Sequence, residues 1–202
     1  MANKTTIRAF FKAVRHGDLD LVRTMVSNDP ALVSCCATAP PKKDDGQSPL
    51  QVALKTGKTS IANLLIDHGA DVNFMETSSV NEWRAPALHD AVRGVVAWAG
   101  PRTPGFEGYF EAHFQVFQRM LDLGADATAA DSFGNTCMDR AVMDAINKAA
   151  TEQEWAGQTG EDFGRVVAAL VARGADLTKK DRHGLSPLDW ARDKPFRHCF
   201  GQ

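Results

Sequence analysis

The chain has 202 residues, 44% hydrophobic and 24% charged, with a formal net charge of -2; this excludes disorder over most of its length and any long-range pull toward nucleic acid or an anionic membrane. No apolar run approaches the roughly 18 residues of a membrane span, and Arg8, Lys12 and Arg15 interrupt any apolar leader near the start. Cys35, Cys36, Cys137 and Cys199 contain no Cys-x-x-Cys pair and no disulfide pattern, which predicts reduced thiols in a cytoplasm.

In chain order, the first predicted element is a helix over Phe10, Phe11 and Ala13 that ends at Gly17, followed by a partner helix to about Ser27. Ser48-Pro49-Leu50 is a second helix start, because Ser caps exposed amides and Pro loses nothing at the first helical position. Beyond Gly57, a stripe of Ile61, Leu64 and Leu65 predicts a helix buried on one face and ended by Gly69-Ala70-Asp71. The same ending recurs twice. Val116, Phe117, Met120 and Leu121 lead to Gly124-Ala125-Asp126, and Val166, Val167, Leu170 and Val171 lead to Gly174-Ala175-Asp176. The turns at Asp131–Gly134 and Asp181–Gly184 open further helices at Thr136 and Ser186. From Gly124 to Cys137 is 13 residues, and from Gly174 to Pro187 is again 13.

This periodic plan resembles the ankyrin-repeat family, whose unit is a turn and two antiparallel helices carrying Thr-Pro-Leu-His-x-Ala. Pro86-Ala87-Leu88-His89-Asp90-Ala91, Thr136-Cys137-Met138-Asp139-Arg140-Ala141 and Ser186-Pro187-Leu188-Asp189-Trp190-Ala191 stand in that position. The resemblance implies an all-α ankyrin-repeat solenoid with short hairpin-like fingers, one domain over 1–202. The repeats fall at about 5–37, 44–76, 83–130, 131–180 and 181–202. It also implies that His89 braces neighbouring backbone, and that the chain binds another protein.

Two repeats depart from the family. Pro49 to Gly69 is 20 residues, whereas Ala87 to Gly124 and Cys137 to Gly174 are each 37, so both carry 17 extra residues. The stripes Leu88, Ala91, Val92, Val95, Val96 and Met138, Ala141, Val142, Ala145, Ile146 continue into the insertions, which predicts lengthened inner helices packed side by side. The connector Gly100–Gly108 is shaped by Pro and Gly, while Thr151–Glu161 is polar and acidic around Trp155. The fingers Cys36–Asp45 and Met75–Arg84 are expanded as well.

Insertions on a rigid stack are where repeat proteins place function, and aromatic and Arg side chains anchor interfaces. The expected partner-binding residues are therefore Trp83, Arg84, Arg102, Phe106, Tyr109 and Trp155, with Asp45 and Phe133 at finger tips. Trp98 and Phe110 fit an enlarged core as well as a partner surface. Asp71, Asp126 and Asp176 recur once per repeat and are expected to hold turns rather than form a carboxylate site. Gly57-Lys58-Thr59 lacks the upstream glycine of a P-loop, and His198-Cys199 and Cys35-Cys36 lack zinc spacing, so neither cofactor nor metal is expected. The chain is expected to be no enzyme, although His89, Asp90 and Glu107 are conceivable acid–base groups. The leading function is a binding module that is a monomer when free and engages neither nucleic acid nor membrane. With Met1 opening one capping repeat and Gln202 closing another, its sharper form is a stoichiometric inhibitor or immunity-type protein; a scaffold joining two partners is the other reading.

Overall fold

The computed structural model describes residues 3–100, 104–150, 155 and 157–201. The expectations attached to Met1, Arg102 and Gln202, and to most of 151–156, lie outside these residues. The chain divides into two units, one up to Ala91 and one from Val92 onward.

In the first unit, helix α1 (Lys4–His16) starts where the Asn3 side chain accepts the Thr6 amide at 2.9 Å. It buries Phe10, Phe11, Ala13 and Val14 and ends at Gly17, whose φ of 82° is left-handed. Helix α2 (Leu19–Asn28) is capped by Asp18 and packs Val22 and Val26 inward. Helix α3 (Pro49–Lys55) opens on a reciprocal capping box between Ser48 and Gln51, with Pro49 at the first position. Gln51 also reaches across the unit, donating to the Ala85 carbonyl at 3.0 Å. Helix α4 (Thr59–Asp67) contributes Ile61, Leu64 and Leu65. The packed pairs here are α1 with α2, α3 with α4, α1 with α3 and α2 with α4, the antiparallel pair stacked on its neighbour.

Helix α5 (Ala87–Trp98) starts in the first unit and runs into the second. The second unit continues with α6 (Tyr109–Asp122), α7 (Cys137–Ala149), α8 (Gln158–Val171) and the short α9 (Pro187–Trp190), then a 3-10 turn over Arg197–Phe200. The capping boxes Thr136 with Asp139 and Ser186 with Asp189 repeat the Ser48 device. The inner helices α5 and α7 are 12 and 13 residues long against 7 in α3, as the stripes predict. The outer helices lengthen too: α6 and α8 have 14 residues against 9 in α4. The spacing of Phe110, Phe114, Phe117 and Leu121 carried that signal, and all four are buried. Phe110 is thus core.

No strand occurs among the described residues. The fingers carry only isolated antiparallel bridges, Met75 with Pro86 and Ala130 with Thr136. The repeated aspartates hold turns. Asp126 accepts the Thr128 amide at 2.8 Å and hydroxyl at 2.7 Å, Asp176 accepts the Thr178 amide and hydroxyl at 2.7 Å each, and Asp71 accepts the Asn73 amide.

Leu65 and Leu170 are fully buried and Leu121 is 3% exposed. Truncating any of them to Ala is expected to cost about 2–5 kcal/mol of unfolding free energy, read by urea denaturation. A second expectation concerns acid. The Thr128 and Thr178 donors hold the Asp126 and Asp176 carboxyls below the usual aspartate range. A carboxyl depressed by folding contributes stability above its unfolded value, about 3.9, and that contribution is lost as pH falls through the lowered folded value. The Asp126→Asn/Asp176→Asn variant should therefore lose less stability than the parent on acidification below about pH 4 in a pH series of denaturation curves.

Candidate partner-binding surface

The insertion of the third repeat builds a group of rings in the second unit. Trp98 at the end of α5 stacks on Phe106 at 5.5 Å between centroids and meets Tyr109 at 4.5 Å, while Phe106 and Tyr109 contact edge to face at 5.0 Å. Trp98 is half-buried beneath the other two, which are 44% and 41% exposed. Two side chains hold described parts of the connector. The Glu107 side chain accepts the Gly105 amide at 3.0 Å, and the Gly100 amide donates to Asp162 of α8 at 2.9 Å. Lys148 of α7 donates to the Ala97 carbonyl at 3.2 Å, which ties the two lengthened inner helices together.

Under the rings lies His113, 6% exposed, with Nδ1 2.8 Å from the Tyr109 carbonyl. A carbonyl accepts only, so Nδ1 carries the hydrogen. Burial pushes this imidazole below the usual histidine value. Arg165 of α8 forms a two-pronged pair with Glu111, at 2.6 and 3.1 Å, and spreads over the Phe114 ring at 4.2 Å. The cluster therefore rests on a fixed helix pair and offers two large ring faces to solvent.

The other expected anchors fall into two kinds. Phe133 stands on the finger between α6 and α7, 38% exposed, with the Arg182 guanidinium over its ring at 5.1 Å. Arg84 is exposed and Trp83 half-buried in the first unit. Asp45 and Trp155, in contrast, are not surface side chains. Asp45 is 6% exposed; it accepts from the Ala39 amide at 2.9 Å, the Ser78 hydroxyl at 3.0 Å and the Ser79 amide at 3.0 Å. The Ala39 and Ser79 amides hold its carboxyl below the usual range. It joins the first finger to the second, where Gly46, with φ of 76°, passes so close that a Cβ would lie 2.0 Å from the Ser78 nitrogen. Trp155 is 1% exposed and packs on Phe196 at 4.8 Å and Phe163 at 5.6 Å, closing the end of the second unit. Gly160 lets it do so: a Cβ there would be 2.4 Å from the Trp155 carbonyl oxygen.

The acid–base candidates are each held within their own surroundings. His89 and Asp90 are buried in α5, and Glu107 is spent on its own loop. The four cysteines are free thiols, and burial pushes Cys35 and Cys199 up to about 12 and about 11. Among the described residues no helix is long and apolar enough to cross a membrane.

Two comparisons bear on the fold. Residues 3–96 match the family of ankyrin repeats, three copies. Over 142 residues the chain is 25% identical to "Ankyrin repeat and SAM domain-containing protein 6" of Rattus norvegicus, which covers 70% of this chain but 13% of that protein. The chain spans about an eighth of that relative's length. Residues 3–96, just under half of the chain, are thus similar to ankyrin repeats, and the stacked helix pairs of the described residues fit the all-α repeat-solenoid fold. Ankyrin repeats are protein–protein interaction modules, and members of the family are typically non-enzymatic.

Trp155→Ala is expected to act on stability, with a loss of about 3–5 kcal/mol by chemical denaturation. Phe106→Ala, which removes an exposed ring, should leave the unfolding midpoint nearly unchanged in the same measurement.

Proposed function

We propose that the chain works by occupying the surface of a partner protein, anchored in the second unit by Phe106 and Tyr109 with Phe133 on a finger of the same unit, and in the first unit by Trp83 and Arg84. Arg102, in the connector that carries Phe106, belongs to the same proposal. The observation that supports this most is the exposed ring pair seated on Trp98 and braced by Asp162 and Glu107. Burying two rings without having to order them first is a cheap source of affinity, because their conformational entropy is already lost in the free protein.

The sharper form of the reading is a stoichiometric inhibitor of an enzyme, in the manner of an immunity protein. A rigid aromatic platform that seats against an enzyme blocks access to it one for one. The four free thiols support a reducing, cytoplasmic setting, and the monomer remains the proposed free state.

The test uses the full chain, immobilised, to capture partners from native lysate, followed by affinity and activity measurements on the captured protein. One dominant enzyme, silenced at a one-to-one ratio, is expected; several partners without loss of activity point to a scaffold instead. Phe106→Ala and Tyr109→Ala should each lose about 2 kcal/mol or more of binding, roughly thirtyfold in Kd, while Gln118→Ala on the exposed side of α6 changes little. If Gln118→Ala weakens binding and the ring variants do not, the partner sits elsewhere and the assignment is wrong.

A further inference from the structure

The first unit holds a cleft of about 280 Å³ between α1 and the first finger. Ligand clefts for small molecules run from roughly 300 to 1,000 Å³, so this one suits side chains of a peptide better than a whole cofactor. One wall is α1, where Arg8, Lys12 and Arg15 follow one another at helical spacing on a single face. The floor is Ile7 and Phe11, and the facing wall is Pro40 and Pro41 of the finger. No carboxylate lines it.

The three cations differ in what they already hold. Arg15 donates through Nε to Asp44 at 2.8 Å and through a terminal nitrogen to the Phe11 carbonyl at 3.2 Å. Asp44 is completely buried, and Lys55 pairs with its other oxygen at 2.9 Å, so its charge is met from within. Arg8 and Lys12 are exposed and make no ion pair among the described residues. Lys42 and Lys43 follow Pro41 on the finger and are exposed as well. Positive charge therefore surrounds an apolar floor; of the finger's two carboxylates, Asp44 is paired with Arg15 and Lys55, and Asp45 is buried on the Ala39 and Ser79 amides and the Ser78 hydroxyl.

We propose that this cleft binds an acidic, extended segment of a partner protein, of the pattern acidic–apolar–acidic. Four helical residues separate Arg8 from Lys12, a rise of about 6 Å. Two residues of extended chain advance by about 6.6 Å and return to the same face. Carboxylates two positions apart thus meet Arg8 and Lys12 in register, while the apolar residue between them faces Pro40 and Pro41 and the prolines exclude water from the pairs. The surface uses none of the residues assigned to the ring platform, so either proposal stands if the other fails.

The test titrates the full chain into a fluorescein-labelled peptide, Glu-Leu-Glu-Leu-Glu, and follows anisotropy. Binding is expected at low salt and should weaken at about 1 M salt, where the screening length is about 3 Å. The amide peptide Gln-Leu-Gln-Leu-Gln should bind at least about tenfold more weakly, and so should the acidic peptide to Arg8→Glu/Lys12→Glu. Both substituted side chains are exposed, so the melting curve of that variant should match the parent; Lys12→Gln gives a milder second variant with an intermediate loss. Failure of the parent to bind the acidic peptide overturns the proposal, as does equal binding by the parent and the reversed-charge variant. A single-stranded oligothymidylate that binds more tightly than the peptide through the same two cations also overturns it, in favour of a nucleic-acid groove.

Discussion

Helices of 7 to 14 residues are too short to hold themselves together in water, and each leaves one apolar flank bare. That flank is covered only by another pair of helices. Leu65, Leu121 and Leu170 occupy the covered positions, one per repeat, each a few residues before a left-handed glycine that turns the chain. Everything else in the protein is a consequence of making that stacking possible: caps that close the helix starts, aspartates that fix the turns, and fingers that carry the chain to the next pair.

The insertions obey the same rule. Seventeen extra residues in a repeat do not hang off as a loop; most of them extend helices on both the inner and outer sides. Longer helices bring more apolar flank, and the chain fills it with rings, Phe110, Phe114 and Phe117 on α6 and Phe163 on α8. Where the extension runs out, at Trp98 and the start of α6, the rings of Phe106 and Tyr109 remain in contact with water. Core packing no longer claims the side chains at that boundary, which is why the proposed partner surface is placed there.

Much of this was legible in the sequence. The triplets at Gly69, Gly124 and Gly174 and the cap residues Ser48, Thr136 and Ser186 work through local chemistry, so spacing alone reveals them. The lengthening of the outer helices was not read from the sequence, although Phe110, Phe114, Phe117 and Leu121 stand at helical spacing on α6. Asp45 and Trp155 were not legible. An aspartate beside a glycine in a finger looks the same whether it points to water or to the next finger, and the partners that bury it, Ser78 and Ser79, come more than thirty residues later. Trp155 sits in an acidic connector that reads as solvated, but Phe196 and Phe163, one from the chain's last turn, take its ring inside. Local composition does not encode a contact made at long separation.

The bond from the Gly100 amide to Asp162 has a bearing on protein engineering. The loop that begins at Gly100 belongs to one repeat, yet its first amide is satisfied by a residue of the next, which Gln158 in turn steadies at 3.1 Å. A designer who transplants that loop onto another repeat scaffold moves half of a mechanism. The graft has to carry Gln158 and Asp162 with it, and the smallest portable cassette is therefore two consecutive repeats.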